Sequence, residues 1–342
     1  VADTVSKADG GTFDGAVTLA GGVSGNTTFS GEIITSTSGT SNLRIGENAG
    51  DAIASGGNYN VVLGDEAGTA ITTGDNNVAV GYNALATNTT ASTNTAVGYQ
   101  AAYSNQTGVG ITAFGANALY ATTASDNCGI GTDNPGNYAA ALESNTTGRF
   151  NTAVATGALG SCTEGDSNTA VGHSAGGAIT TADNNTLVGA NAGDAMNTGT
   201  RNVAVGKGAL GVLTSGTDNV AIGGVDAAAA EVLGSNLTGS GNIAIGGGTL
   251  KNYTASNSIA IGYRALEGST DGHTNLSVGN YAGDGITTGD NNIMIGYDCG
   301  SYSNNFITGG QNVCIGNYTV AGGTGDDYAN ALGYNLTAHG GY

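Results

Sequence analysis

Groups able to do chemistry are few in this chain, and their spacing limits them further. The three histidines, His173, His273 and His339, each stand among Gly, Ser, Thr and Asn with no second ligand or base at hand. A nucleophile needs a base within hydrogen-bond reach, and zinc needs closely spaced His or Cys ligands. No GxSxG, HExxH or phosphate-loop pattern occurs. Two carboxylate pairs, Asp65 with Glu66 and Asp326 with Asp327, have the residue type used in glycoside cleavage. Neighbours in sequence point to opposite faces of a strand, so neither pair makes a dyad by itself. Acids on adjacent turns of a repeat could still meet, which keeps polysaccharide cleavage as the least favoured reading. The expectation is a non-enzyme with no catalytic residue, cofactor or metal.

Other side chains recur rather than cluster. The turn aspartates Asp75, Asp183, Asp218, Asp284 and Asp290 suit turn formation and solubility. Calcium at chain interfaces is the alternative, but the nonapeptide calcium repeat is absent. Cys128, Cys162, Cys299 and Cys314 form no CxxC pair and read as small apolar fillers. A bond between Cys299 and Cys314 stays open. Tyr82, Tyr99, Tyr263, Tyr297 and Tyr334 each directly follow a recurring glycine. They are candidate receptor contacts that stack on glycans, or they cover an edge of the fold.

The elements that carry these residues must be built without bulk. Among 342 residues there are 63 Gly, 5 Phe and no Trp, too few large side chains for ordinary globular cores. Charged residues are 10%, so the chain is not a highly charged disordered one. The net charge of −19 repels phosphates and anionic lipid, which argues against nucleic acid as a partner. No run of 18 apolar residues occurs, so no membrane insertion is expected. The chain opens at Val1, which suggests processing or excision from something longer.

What organises the sequence is an echo. The phrase Asn-x-Ala-Val-Gly recurs, and its closing glycine falls at Gly46, Gly64, Gly81, Gly98, Gly115 and onward to Gly333. With Ala155 standing in once, there are 17 units, and ten of the 16 intervals are 17 residues. A short, persistent period means a solenoid. The residue before the marker is large and apolar throughout, and the third before it is mostly Val, Ile, Leu or Thr. Between them stands Ala in ten units, and this period of two is a strand signature. The strand is expected to bury Val and Ile and to turn a small, flat Ala face outward. Ala three residues after the marker reads as a second short inward strand. Rungs stacked about 4.8 Å apart would extend roughly 80 Å.

Four residues before the marker, Asn stands in 14 of the 17 units. Asn42, Asn60, Asn77, Asn94, Asn168, Asn185, Asn202 and Asn219 are expected to form an amide ladder along the stack. So thin a rung leaves apolar surface uncovered. The flat Ala face would then associate cyclically, as a trimer or a dimer with a shared core. The fold expected is an all-β parallel β-solenoid, or β-roll, of about 17 rungs over 42–342. Insertion loops fall at 132–150, 224–241 and 297–311. Residues 1–41 lack the marker phrase and read as a short N-terminal β stalk or adaptor.

The phrases NVAVG, NTAVG and NIAIG resemble the head repeats of trimeric autotransporter adhesins, which are left-handed parallel β-rolls. The longer form NTAVGYQAAYSNQTG (94–108) is closer to repeats of bacteriophage tail-fibre proteins, and VSKADGGTFDGAVTL (5–19) resembles fibre stalk sequence. The resemblance implies a homotrimeric virion fibre with other tail or fibre proteins and a host-surface glycan or protein as partners. No heptad stalk, anchor strands or self-cleaving chaperone domain accompanies the repeats. A bacterial surface adhesin or a self-assembling extracellular filament, at the cell surface rather than in a virion, is the alternative.

Overall fold

The computed structural model describes residues 38–134, 138–224, 231–300, 308–321 and 325–338. The compact unit Val1–Ile34, where most of the expected stalk falls, lies outside the described residues, as does His339. The unit Thr35–Tyr342 is an all-β parallel solenoid with no helix among its described residues. Seventeen short strands form one sheet, from Leu43–Ile45 to Asn330–Leu332. Each pairs in parallel with the next, residue on equivalent residue, as Val78, Ala79 and Val80 do with Thr95, Ala96 and Val97. The three long intervals leave this register untouched: Cys128 pairs with Thr152, Val220 with Ile243 and Ile293 with Val313. The extra residues therefore leave the strand pairing unshifted. Rungs about 4.8 Å apart make sixteen steps of about 77 Å in all.

The strand faces are the reverse of the expectation. The middle residue points inward: Ala79, Ala96, Ala113 and Ala153 are fully buried. The flanking Val, Ile and Thr point outward, with Ile45, Phe114 and Leu332 more than half exposed. Parity explains this. The Asn four before the marker is buried, so the residue two further on must face inward as well. The space there suits a methyl group, and larger residues enter where a neighbouring glycine yields room: Val62 beside Gly68, Leu187 beside Gly193 and Met294 beside Gly300 are all fully buried.

The rest of the rung is turn rather than a second strand. In the rung after Gly98, Ala101 donates back to Gly98, Tyr103 to Gln100 and Asn105 to Ala102, three linked turns in sequence. The first two turn on left-handed residues, Gln100 (φ 52°) and Ala102 (φ 50°). The recurring alanine after the marker is buried as expected, but inside this spiral. Among the described residues, only Val320–Ala321 and Thr337–Ala338 pair as strands in that part of the rung. The marker glycine is required twice over. At Gly81 φ is +127°, and a Cβ there would lie 2.6 Å from the Gly98 carbonyl oxygen of the next rung.

The fourth and seventh residues after the marker both face inward, and in many rungs they trade size, although Leu210 with Leu213 and Leu250 with Tyr253 bury two large side chains together. Gly68 accompanies Ile71, Gly176 accompanies Ile179 and Gly193 accompanies Met196, whereas Leu85 accompanies Asn88 and Leu119 accompanies Thr122. A Cβ on Gly68 would come 2.7 Å from Ile71 Cδ1, so one large side chain fills the space of the pair. Leu85 and Leu119 hold φ of 50° and 53°, a backbone that leucine rarely adopts. Burial of the side chain and the rung-to-rung hydrogen bonds hold it there.

Candidate binding surface

The amide ladder is present along the interior. Asn185 Nδ2 donates to Asn168 Oδ1 at 3.0 Å and to the Gly199 carbonyl at 2.9 Å. Its Oδ1 accepts the Asn202 backbone N–H at 3.0 Å and Asn202 Nδ2 at 3.3 Å. The same pattern links Asn42 to Asn60, Asn60 to Asn77, and Asn202 to Asn219. Asn94 joins through its backbone N–H, donated to Asn77 Oδ1. Where Ser258 replaces the amide, the buried Tyr253 hydroxyl sits 2.8 Å from Ser258 Oγ and donates to the Ser256 carbonyl at 3.0 Å. A phenol from one rung position thus fills the place of a missing amide at another.

Polar side chains on the turns are also spent on stacking. Asp75, Asp183 and Asp290 each accept a backbone N–H from the rung before. Asp218 instead pairs with Arg201 through both oxygens at 2.7 and 2.8 Å, and the guanidinium holds its carboxyl below the usual range. Asp284 stands half-buried in the turn after Gly279. The two sequence-adjacent pairs are divided in the same way. Asp65 caps the Glu47 N–H, Glu66 accepts from Asn48, and Asp327 caps Gly310. Asp326 uses its backbone carbonyl to accept from Asn312. No group of three or more His, Cys, Asp or Glu suited to a metal occurs among the described residues.

Cys162, Cys299 and Cys314 are buried and Cys128 is half-buried, with all four as free thiols. Burial pushes Cys162 up to about 11. Cys299 donates to the Cys314 carbonyl at 3.1 Å, and a thiol contact with Cys314 together with burial raises it further.

Two surfaces of the roll carry recurring outward side chains. One is the outward sheet face, a double column of Val, Ile, Thr and Leu along the seventeen strands, broken by Phe114, Cys128 and Asn330. The other is the corner after the marker, where the candidate tyrosines gather. Tyr82 and Tyr99 stack face to face, centroids 5.8 Å apart at 14°. Tyr263, Tyr297 and Tyr334 do not touch one another. Tyr281 and Tyr318, one residue later in the alternate rungs, stand between them and complete a herringbone of five edge-on rings. Those two rings escape a search restricted to the residue after the glycine; allowing either of two positions finds them. Tyr297 and Tyr334 are 42% and 70% exposed.

A second feature had no single-residue signature. Asp194 lies beside Gly211, and so does Glu231: a Cβ on that glycine would be 3.4 Å from Asp194 Oδ1 and 3.3 Å from Glu231 Oε2. Burial raises both carboxyls, and the Asp194 charge raises Glu231 further. Asp194 also edges a surface cleft beside Tyr138. No family model, no curated protein and no solved structure matches the chain.

Proposed function

We propose that the chain is a structural and recognition segment of a homotrimeric fibre, of the bacteriophage tail-fibre kind that its repeats resemble. No catalytic step enters this reading. The observation that carries it is the exposed aliphatic sheet face. From Val203 to Ile315 its two columns hold only Val, Ile and Leu, an apolar strip far longer than a monomer keeps in water. A flat, in-register parallel sheet presents the same surface at every rung, so identical chains can meet along its whole length around one axis. Three copies would place three tyrosine corners outward, and repeated contacts with a host-surface glycan or protein would add by avidity.

The test is the mass of the purified chain by light scattering. A trimer of about 99 kDa, three chains of 33.0 kDa, is expected. Val188→Lys with Ile261→Lys should dissociate it while leaving β-structure by circular dichroism unchanged. A monomeric wild-type chain would sink the reading. Long end-to-end polymers would favour the extracellular filament.

A further inference from the structure

The described residues of the first long interval, Asn134 and Tyr138 to Glu143, pack against the roll. Asn134 and Tyr138 exchange backbone hydrogen bonds at 3.0 and 3.2 Å, the Ala139 carbonyl accepts the Gly157 N–H at 2.8 Å, and Glu143 caps the Ala140 N–H at 2.6 Å. Ala139 rests on Gly160, where an added Cβ would come 2.9 Å from the Ala139 methyl. The Tyr138 ring stands edge-on to His173, centroids 4.3 Å apart, and is 46% exposed. The segment is therefore fixed against the roll on one side of a trough. On the roll itself, the fifth residue after the marker is Gly160, then Gly177, then Asp194 on successive rungs. Two missing side chains leave a floor, and the third rung closes it with a carboxylate. The result is a cleft of about 370 Å³ lined by Tyr138, Ser161, Ser174 and Asp194 above those glycines.

We propose that this cleft binds one pyranose unit of an uncharged glycan; the inference rests on the recognition role proposed above and names its ligand class. A sugar ring has an apolar C–H face and a rim of hydroxyls. An exposed tyrosine ring matches the first. A carboxylate accepting two hydroxyl donors, with two serine hydroxyls nearby, matches the second. The volume lies at the lower end for small-molecule sites. The one charged lining group is negative, on a chain of net charge −19, which disfavours acidic sugars and phosphates.

The experiment is saturation-transfer NMR and calorimetry on the full chain with methyl glycosides of glucose, galactose and mannose, and with choline as a cationic probe. Saturable binding of at least one neutral glycoside is expected, weakened about tenfold or more by Tyr138→Ala and by Asp194→Asn. Thr90→Ala, at an exposed bend outside both the cleft and the tyrosine corner, should leave that binding unchanged. Absence of saturable sugar binding, binding indifferent to both cleft substitutions, or binding of choline alone would each overturn the proposal. The broader reading is scored separately by light scattering and adhesion to host cells. A trimer whose adhesion survives the cleft substitutions overturns the cleft and keeps the fibre; a sugar-binding monomer does the reverse.

Discussion

Replacing Asn185 by Ala isolates the worth of one rung of the amide ladder. The substitution removes the acceptor for the Asn202 backbone N–H and the donor for the Gly199 carbonyl, both inside the roll. Asn168 Oδ1 keeps the Asn185 backbone N–H, and Asn202 Nδ2 keeps the Gly216 carbonyl, so the damage is confined to two orphaned groups. Each buried orphan costs about 1–3 kcal/mol, so the change should destabilise by about 2–6 kcal/mol. In a stacked array the loss is felt by neighbouring rungs before distant ones. Hydrogen exchange is therefore the sharper assay. At the lower bound of about 2 kcal/mol, amides from Thr186 to Val205 should exchange about thirtyfold faster. Those near Asn60 should not change. Unchanged protection at Asn202 would refute the ladder as a source of stability and leave the asparagines as turn formers.

Three further outcomes follow from the geometry. Ile71→Ala should cost about 2–5 kcal/mol by opening a cavity, whereas Gly68→Leu with Ile71→Asn, which copies the Leu85 and Asn88 rung, should melt above either single variant. Tyr253 is raised by burial to about 12, above its ordinary value of 10.0. The unfolded chain then loses the proton first, so stability falls as pH rises between those values, by about 2–3 kcal/mol at most. Denaturant melts at stepped pH should show that slope, and Tyr253→Phe should abolish it. With a thiol reagent on the native chain, Cys128 should react first, and Cys162, Cys299 and Cys314 only on unfolding; rapid labelling of all four would contradict their burial.

The period, the rung count and the amide ladder were legible because each depends on one residue type at a fixed interval. Stacking in register demands that equivalents meet equivalents, so the marker glycine and Asn168 or Asn202 announce themselves. Strand facing is not legible from hydrophobicity alone. In a roll this thin the interior admits Ala79, and Val78 and Val80 are left outside. The asparagine already held the answer, since a buried Asn77 fixes the parity of Ala79. The turn spiral is hidden for a related reason: an inward Ala101 looks the same in a strand as in a turn, and the left-handed Gln100 and Ala102 carry no obligatory glycine. The cleft at Tyr138 was illegible because its walls come from residues 138 to 194, brought together by an insertion whose docking depends on Ala139 meeting Gly160. The five-ring herringbone was half visible, hidden by its alternation between two adjacent positions.

The in-register stack also makes length a discrete variable. Because each rung satisfies its neighbours with the same backbone, amide and turn contacts, duplicating or deleting one 17-residue unit changes the span by about 4.8 Å and creates no new kind of junction. Recombination between near-identical repeats would then yield chains that differ in reach while keeping their cross-section. Selection could thus set the distance between the two ends of the roll in equal increments, like notches on a ruler, without redesigning its lateral surfaces.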